Sequence, residues 1–567
     1  MELISPTFAA AKAKPARPTA RPAAAPSLAG FQAASVRWPL AFVLVGVLAL
    51  LVGGGLLLAQ PELLATYHYT PHLIAITHLL VLGFISSIVM GAMYQLVPVT
   101  LEVPLHSDRL VKFQLAAHAV GCAGMVWGFW AFNPARVGGF GALFTLGVGL
   151  FVYNLARTLA RVPGWRAIKL GIASALFWWC ATVLAGLLLV GTKFWNCPTF
   201  LPLAAMHAHA HLGVVGVFVL MIVTVSYKLV PMFTLAELQS ENRAFWSVTL
   251  INGGLLGTFA TILCQSPLKP VFSSLIVAGV ALYGVEILAI LRARNRRALD
   301  WGVKYFLTAI ALLIPLSLAA LALSWARLPA TAVTLQLENV YGLVALLGLV
   351  GLAILGMLYK IVPFLVWFHS YSRHIGRAKV PALADMYSTP LQIAGYWSYL
   401  AGLAVAAAGT AASSAAGIRW GCGVLAVSLA IFALNLAKIL AHFVRPQIAP
   451  FAPPNPRRRQ TFMTHAPLTD ELVLETLRQV IDPELGVNIV DLGLIYRFAC
   501  ADGKLVVTMT LTTPGCPMHD SIAEGVKQIL LGLDGVRDVE VEVVWDPPWH
   551  PSMMTEVGRR MTGTRDF

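Results

Sequence analysis

Charge is what this chain has least of: 12% of its 567 residues are Asp, Glu, Lys or Arg, against 58% hydrophobic. Soluble domains carry roughly 25% charged residues, so an ordinary water-soluble protein is excluded over most of the length. Cysteine is also sparse. Cys122, Cys180, Cys197, Cys264, Cys422, Cys500 and Cys516 are scattered without a CxxC pair, which excludes a disulfide framework and a zinc ribbon. Acidic residues are scarce in one part only. Residues 464–567 hold 8 Lys+Arg and 16 Asp+Glu, a net of −8; taking these from the totals of 40 and 26 leaves 32 and 10, a net of +22. The chain thus has two modules, one basic and apolar, one acidic and water-soluble. Much of the basic excess sits in short loops between apolar runs. It therefore reads as a topology signal and not as a nucleic-acid footprint.

Residues 1–35 are rich in Ala and Pro and cannot bury a core, so a disordered tail is expected. Residues 36–444 then carry apolar runs of spanning length at about 36–60, 72–98, 110–132, 136–160, 167–191, 204–231, 244–264, 270–293, 301–326, 337–367, 389–410 and 418–444. The even-numbered loops hold the bases, among them Arg109, Lys112, Arg157, Arg161, Arg294, Arg296, Arg297, Arg373 and Arg377. The opposite loops offer single bases such as Arg136, Lys193, Lys269 and Arg327. This asymmetry predicts an all-α polytopic domain of twelve helices in the cytoplasmic (inner) membrane, with N- and C-termini cytoplasmic.

A repeat lies within those helices. Tyr94-Gln95-Leu96-Val97-Pro98 matches Tyr227-Lys228-Leu229-Val230-Pro231 and Tyr359-Lys360-Ile361-Val362-Pro363. The prolines lie 133 and 132 residues apart (231 − 98 and 363 − 231). Four helices fit each period, which predicts three four-helix pseudo-repeats with the second helix of each near a common axis.

Residues 445–468 are a Pro/Arg-rich linker. Residues 469–567 read as a small α/β domain in the order α-β-β-α-β. Thr469-Asp470-Glu471 opens a helix, Asp502-Gly503 turns a hairpin, and Val536–Trp545 is the last strand.

The stretch Met206–Phe233 gathers His207, His209 and His211 at the start of an apolar run. Rings of this kind inside a membrane helix mark function by default. His78 and His211 each stand 16 residues before their signature Tyr (94 − 78 and 227 − 211), so they share a depth. Two neutral imidazoles facing each other can hold a haem iron axially. His207 and His211 share one helix face, with His209 roughly opposite. If His207 lies beyond the helix start, it instead joins His72, at the outer mouth of the second helix, in an outer site suited to copper, haem iron or zinc. His118 reads as packing. Glu286 is a weak pointer to a proton path, and Glu338 sits near a helix end.

The helix count, the threefold repeat and the placed histidines resemble the haem–copper oxidase subunit I superfamily, in a divergent form similar to the NnrS-like haem- and copper-containing membrane proteins. The resemblance implies a b-type haem at His78, His211 and His209, copper near His72 and His207, and a quinol or cytochrome donor. Offsetting by 132 places His207, His209 and His211 on Asn339, Tyr341 and Leu343, so the third repeat lacks the histidines of a full binuclear centre. A complete terminal oxidase is not expected.

Asp482-Pro483-Glu484, Asp491-Leu492-Gly493-Leu494-Ile495-Tyr496, Thr512-Thr513-Pro514-Gly515-Cys516-Pro517 and Trp545-Asp546-Pro547-Pro548-Trp549 resemble the MIP18 (DUF59) family, which includes PaaD- and SufT-like iron–sulfur assembly proteins. The resemblance places Cys516 on that family's cysteine. It implies a transient iron–sulfur cluster, shared across a homodimer or with assembly proteins and client apoproteins. The reading is a haem-binding membrane protein fused to a cluster assembly or transfer domain, acting in metallocofactor maturation or redox and nitric-oxide stress. Two alternatives stand beside it: a quinol- or cytochrome-linked reductase of oxygen or nitric oxide, and a non-catalytic membrane anchor for the assembly domain.

Overall fold

The computed structural model describes residues 36–101, 103–164, 166–195, 200–325, 331–451, 468–513 and 518–564. The expected tail, most of the expected linker and Cys516 lie outside the described residues. Twelve helices are long and apolar enough to cross a membrane: Arg37–Ala59 (α1), Pro71–Val99 (α2), Asp108–Trp130 (α3), Pro134–Leu159 (α4), Ala167–Thr192 (α5), Pro202–Thr234 (α6), Glu241–Leu263 (α7), Lys269–Ala293 (α8), Trp301–Ser324 (α9), Ala332–His374 (α10), Thr389–Ala411 (α11) and Ala415–Val444 (α12). Their ends are set by local chemistry. Ser107, Asn133, Ser240 and Ser414 each accept an N–H of the first turn. Pro71, Pro134 and Pro202 stand at first helical positions, where no N–H is needed.

Three helices form the interior. The apolar windows of α2, α6 and α10 are 61%, 72% and 67% buried, against 28–44% for the other nine. Each of the three also carries a wide π-helical stretch: Leu79–Ser86, Leu212–Val219 and Val344–Gly351. In the last two the closing N–H reaches five residues back, Leu220 to the Val215 carbonyl and Leu352 to that of Leu347. A glycine is fifth in each stretch, where a neighbour comes close. An added Cβ would stand 2.7 Å from Ala49 Cβ at Gly83, 2.7 Å from Leu255 Cδ2 at Gly216, and 3.0 Å from Leu312 Cδ1 at Gly348. A second feature also occurs three times. Asn154 accepts the Ser107 N–H at 2.9 Å and donates to its carbonyl at 2.8 Å; Asn435 treats Ser388 the same way at 2.9 and 3.0 Å. In the middle third Glu286 takes this place. It accepts the N–H groups of Gln239 at 2.7 Å and Ser240 at 2.9 Å, and pairs with Arg243 at 2.7 Å. Its two oxygens are thus both engaged in holding the start of α7.

The C-terminal part begins with Asp470–Leu477 (α13), capped by Thr469. Asp482 Oδ1 accepts the N–H groups of Glu484 and Leu485 and closes the turn between Ile481–Asp482 (β1) and Val487–Asn488 (β2). Ile495–Ala501 (β3) and Lys504–Met509 (β4) form an antiparallel hairpin through Asp502 and Gly503, whose φ values of 51° and 77° explain the residue choice. His519–Leu530 (α14) crosses over, and Asp538–Val543 (β5) pairs parallel to β4, giving the order β3-β4-β5. The expected α-β-β-α-β order is present. The small β1–β2 sheet and a final helix, Glu556–Thr562 (α15), are additions that short polar segments did not signal.

The C-terminal part packs on one end of the helices. Arg297 N–H donates to Gly563 O at 2.9 Å, and Leu383 N–H to Pro483 O at 2.9 Å. Lys360, from the third Tyr-x-Ile-Val-Pro signature, meets Asp300 at 2.6 Å with Arg296 at 4.0 Å. Burial pulls the Asp300 carboxyl up, but Lys360 and Arg296 hold it below the usual range. Glu484 faces this group; burial and the neighbouring Asp482 push its carboxyl up. Gly376 has φ of +73°, and a Cβ there would lie 2.0 Å from the Gly525 carbonyl in α14. Gly376→Val adds a left-handed strain of about 1–2 kcal/mol to that clash. Hydrogen exchange over 519–530 and 372–383 should then rise about tenfold or more while α2 and α6 stay protected.

Candidate functional site

The histidines lie near the starts of α2 and α6. His78 donates its Nδ1–H to Ile74 O at 2.8 Å, and His211 to His207 O at 2.7 Å. These are the same bond, to the carbonyl four residues earlier. Each ring therefore presents its Nε2 lone pair, the form that ligates a metal. His78 lies on Phe129, with ring centroids 4.7 Å apart, and His211 stacks beside Tyr341 at 6.4 Å. Among the described residues no ring contact joins His78 to His211, whereas His209 is within electrostatic reach of His78. His209 faces the other way from His211, against Gly186 of α5, where an added Cβ would stand 3.1 Å from the ring. The opposition of His209 and His211 follows from their spacing of two on one helix.

Among the described residues no hydrogen bond or ring contact joins His72 to His207. His72 packs edge-on against Trp130 at 4.7 Å and Phe132 at 5.1 Å. His207 instead faces His68, with Nε2 atoms 3.1 Å apart, and Glu338 Oε2 stands 3.9 Å from His68 and 4.0 Å from His207. Sequence reasoning missed His68 and set Glu338 aside. His68 is in the link between α1 and α2, just past a 3-10 helix over Pro61–Ala65, without periodicity to mark it. Burial holds its imidazole below the ordinary value. His118 is fully buried with Nε2 2.8 Å from Ser87 Oγ, as expected of a packing residue.

In the C-terminal domain the stretch between β4 and α14 contains Cys516, outside the described residues. Its flanks are ordered by named contacts. His519, the first residue of α14, pairs with Asp520 at 3.0 Å and lies 6.4 Å from the Trp545 ring. Asp491 accepts from Asn488 at 2.6 Å and from Thr555 at 2.9 Å, tying the β2 turn to the start of α15. Trp549 donates to Leu492 O at 2.9 Å. The sequence motifs around Asp491 and Trp549 thus tie β2, the 491–493 turn and the start of α15 together.

Comparison with known proteins gives this domain its relatives. Residues 470–543 match the family model described as iron–sulfur cluster assembly protein. An Fe-S protein maturation auxiliary factor of Bacillus subtilis is 45% identical over 94 residues, which cover 16% of this chain and 92% of that protein. The auxiliary factor SufT of Staphylococcus aureus is 46% identical over 15% of this chain and 97% of its own. An iron-sulfur cluster carrier protein of Synechocystis is 41% identical over 15% of this chain and 24% of its own.

Proposed function

Because its C-terminal domain makes this chain a member of the iron–sulfur cluster assembly protein family, we propose that it is a membrane-anchored maturation factor. It would bind a cluster transiently at Cys516 and pass it to client apoproteins at the cytoplasmic face. The observation that carries this reading is the near full-length match to maturation factors, with Cys516 three residues before the first residue of α14. Free N–H groups and the dipole at a helix start favour a thiolate, and a thiolate is what binds a cluster. One thiolate cannot hold a cluster alone, so a second copy or a partner shares it. The test is transfer: the full-length protein in detergent, reconstituted anaerobically with iron and sulfide, should activate an apo-enzyme that needs a [4Fe–4S] cluster. No activation above free iron and sulfide would sink it.

The twelve helices would form the anchor in the cytoplasmic membrane, with both ends inside and a pseudo-threefold arrangement about α2, α6 and α10. Three wide turns and three helix-start clamps at matching places support the repeat. We further propose that this part binds a b-type haem, on the resemblance to haem–copper oxidase-like proteins. The donor chemistry fits, since His78 and His211 both offer Nε2. Those two would hold the iron, or His209 in place of one of them. Bound haem would supply one-electron chemistry or gas sensing. Protein expressed with ample haem should show a b-type spectrum, lost in the His78→Ala/His211→Ala double variant; a spectrum unchanged in that variant overturns the assignment.

A further inference from the structure

We propose that His68, His207 and Glu338 bind a first-row divalent transition-metal ion. The proposal is independent of the haem and cluster readings. Three elements bring the donors together: the α1–α2 link, α6 and α10. Their candidate ligand atoms all lie within 4.8 Å of one another. In a tetrahedral site with bonds of about 2.0–2.1 Å, ligand atoms lie about 3.3 Å apart. The two nitrogens, at 3.1 Å, already meet that spacing, and the carboxylate oxygen, at 3.9 and 4.0 Å, closes it by a small side-chain shift.

The tautomer of His68 is fixed from behind. Asn339 uses its amide N–H groups on Thr66 O at 2.9 Å and on Gln336 Oε1 at 3.1 Å. Its Oδ1 therefore faces His68 Nδ1 at 3.1 Å and can only accept. His68 Nδ1 carries the hydrogen, and Nε2 turns its lone pair toward His207 and Glu338. Gln336 is pinned in turn by the Ala65 carbonyl at 2.9 Å. An outer layer that orients an imidazole in this way is what metal-ligating histidines use. The plainer alternative is a neutral hydrogen bond from His207 to His68. That arrangement leaves Glu338 Oε2, a buried atom, without any hydrogen-bond partner. A metal ion satisfies all three atoms at once.

Two imidazoles and a carboxylate suit zinc, iron(II), cobalt or copper, and three protein ligands leave coordination positions open to a small molecule. Lys269 is within electrostatic reach of His207 and Glu338, and its charge moderates affinity for the cation. The site also touches the next histidine, because the His207 carbonyl receives the His211 Nδ1–H.

Cobalt(II) is the probe. Full-length protein in detergent, stripped by chelator and carrying Cys516→Ser to silence the thiol, should take up one equivalent with visible d–d absorption. His68→Ala and Glu338→Gln should each lower its affinity at least tenfold, and Asn339→Leu about tenfold, whereas His72→Ala should not change it. Zinc should raise the melting temperature of the parent and not of Glu338→Gln, an isosteric change that keeps the test alive if His68→Ala fails to fold. Unchanged cobalt binding in Glu338→Gln, absence of binding in the parent, or loss on His72→Ala overturns the site.

Discussion

Cys516→Ser should reduce cluster binding and transfer to background in anaerobically reconstituted full-length protein. Serine keeps the size of the side chain, so folding is spared. It removes the soft, easily ionised sulfur that iron requires. The domain holds one other cysteine, Cys500, which is exposed at the far end of β3. Cys500→Ser is therefore expected to keep full transfer, and the pair of variants separates ligation from general thiol chemistry. Iron and sulfide analysis of the wild type should give less than one whole cluster per chain if two copies share it. Retention of cluster in Cys516→Ser contradicts the role given to that thiol.

The second large effect is on stability. Glu286→Ala removes the carboxylate that holds the start of α7. It leaves the N–H groups of Gln239 and Ser240 without their acceptor and strips Arg243 of its partner. Both N–H groups are only part-buried, so each lost acceptor costs about 1–1.5 kcal/mol, at the low end of the range for unsatisfied groups. Arg243 is 38% exposed, so its unpaired charge is largely met by water and adds little. A loss of about 2–3 kcal/mol is expected, read as a lower denaturant midpoint in mixed micelles. Glu286→Gln, which keeps an acceptor, should lose roughly a third of that. If Glu286 carried protons instead, the glutamine variant would be as damaging to function as the alanine one while leaving stability intact.

Most of the architecture was legible because it is written in composition. Spanning length marks helices without any need for packing detail, and the limits of α1 to α12 differ from the expected runs by seven residues at most. The periodicity of the signature also pointed to something that the chain does carry three times, since Gly83, Gly216 and Gly348 each stand 15 residues before Pro98, Pro231 and Pro363. That glycine was the readable trace of the wide turns. It was missed because a glycine in an apolar helix is common. The metal-capable group was harder. His68 pairs with His207 across 139 residues and with Asn339 across 271, and no local pattern links such positions. His72 was preferred because it lies on the helix of His78. The structure spends it on aromatic packing, which an imidazole serves as well as ligation. Lys360 looked like one letter of a repeat, but it pairs with Asp300 beneath Glu484 of the C-terminal domain.

The wide turns of α2, α6 and α10 also set an angular phase. An ordinary helix advances about 100° per residue, and a wide turn amounts to one residue in excess. The two halves of the helix, on either side of such a turn, are indexed separately around its axis. In α6 the histidines lie on one side of that break and Tyr227 and Pro231 on the other. Deleting one residue from 212–219 would remove that excess and let the helix close up regularly with His207 and His211 in about the same phase relative to the signature end, whereas one residue deleted from the α-helical stretch 220–226 would swing them about 100°. The wide turn is thus the one place in α6 where the chain can lose a residue and keep the aim of the outer donors.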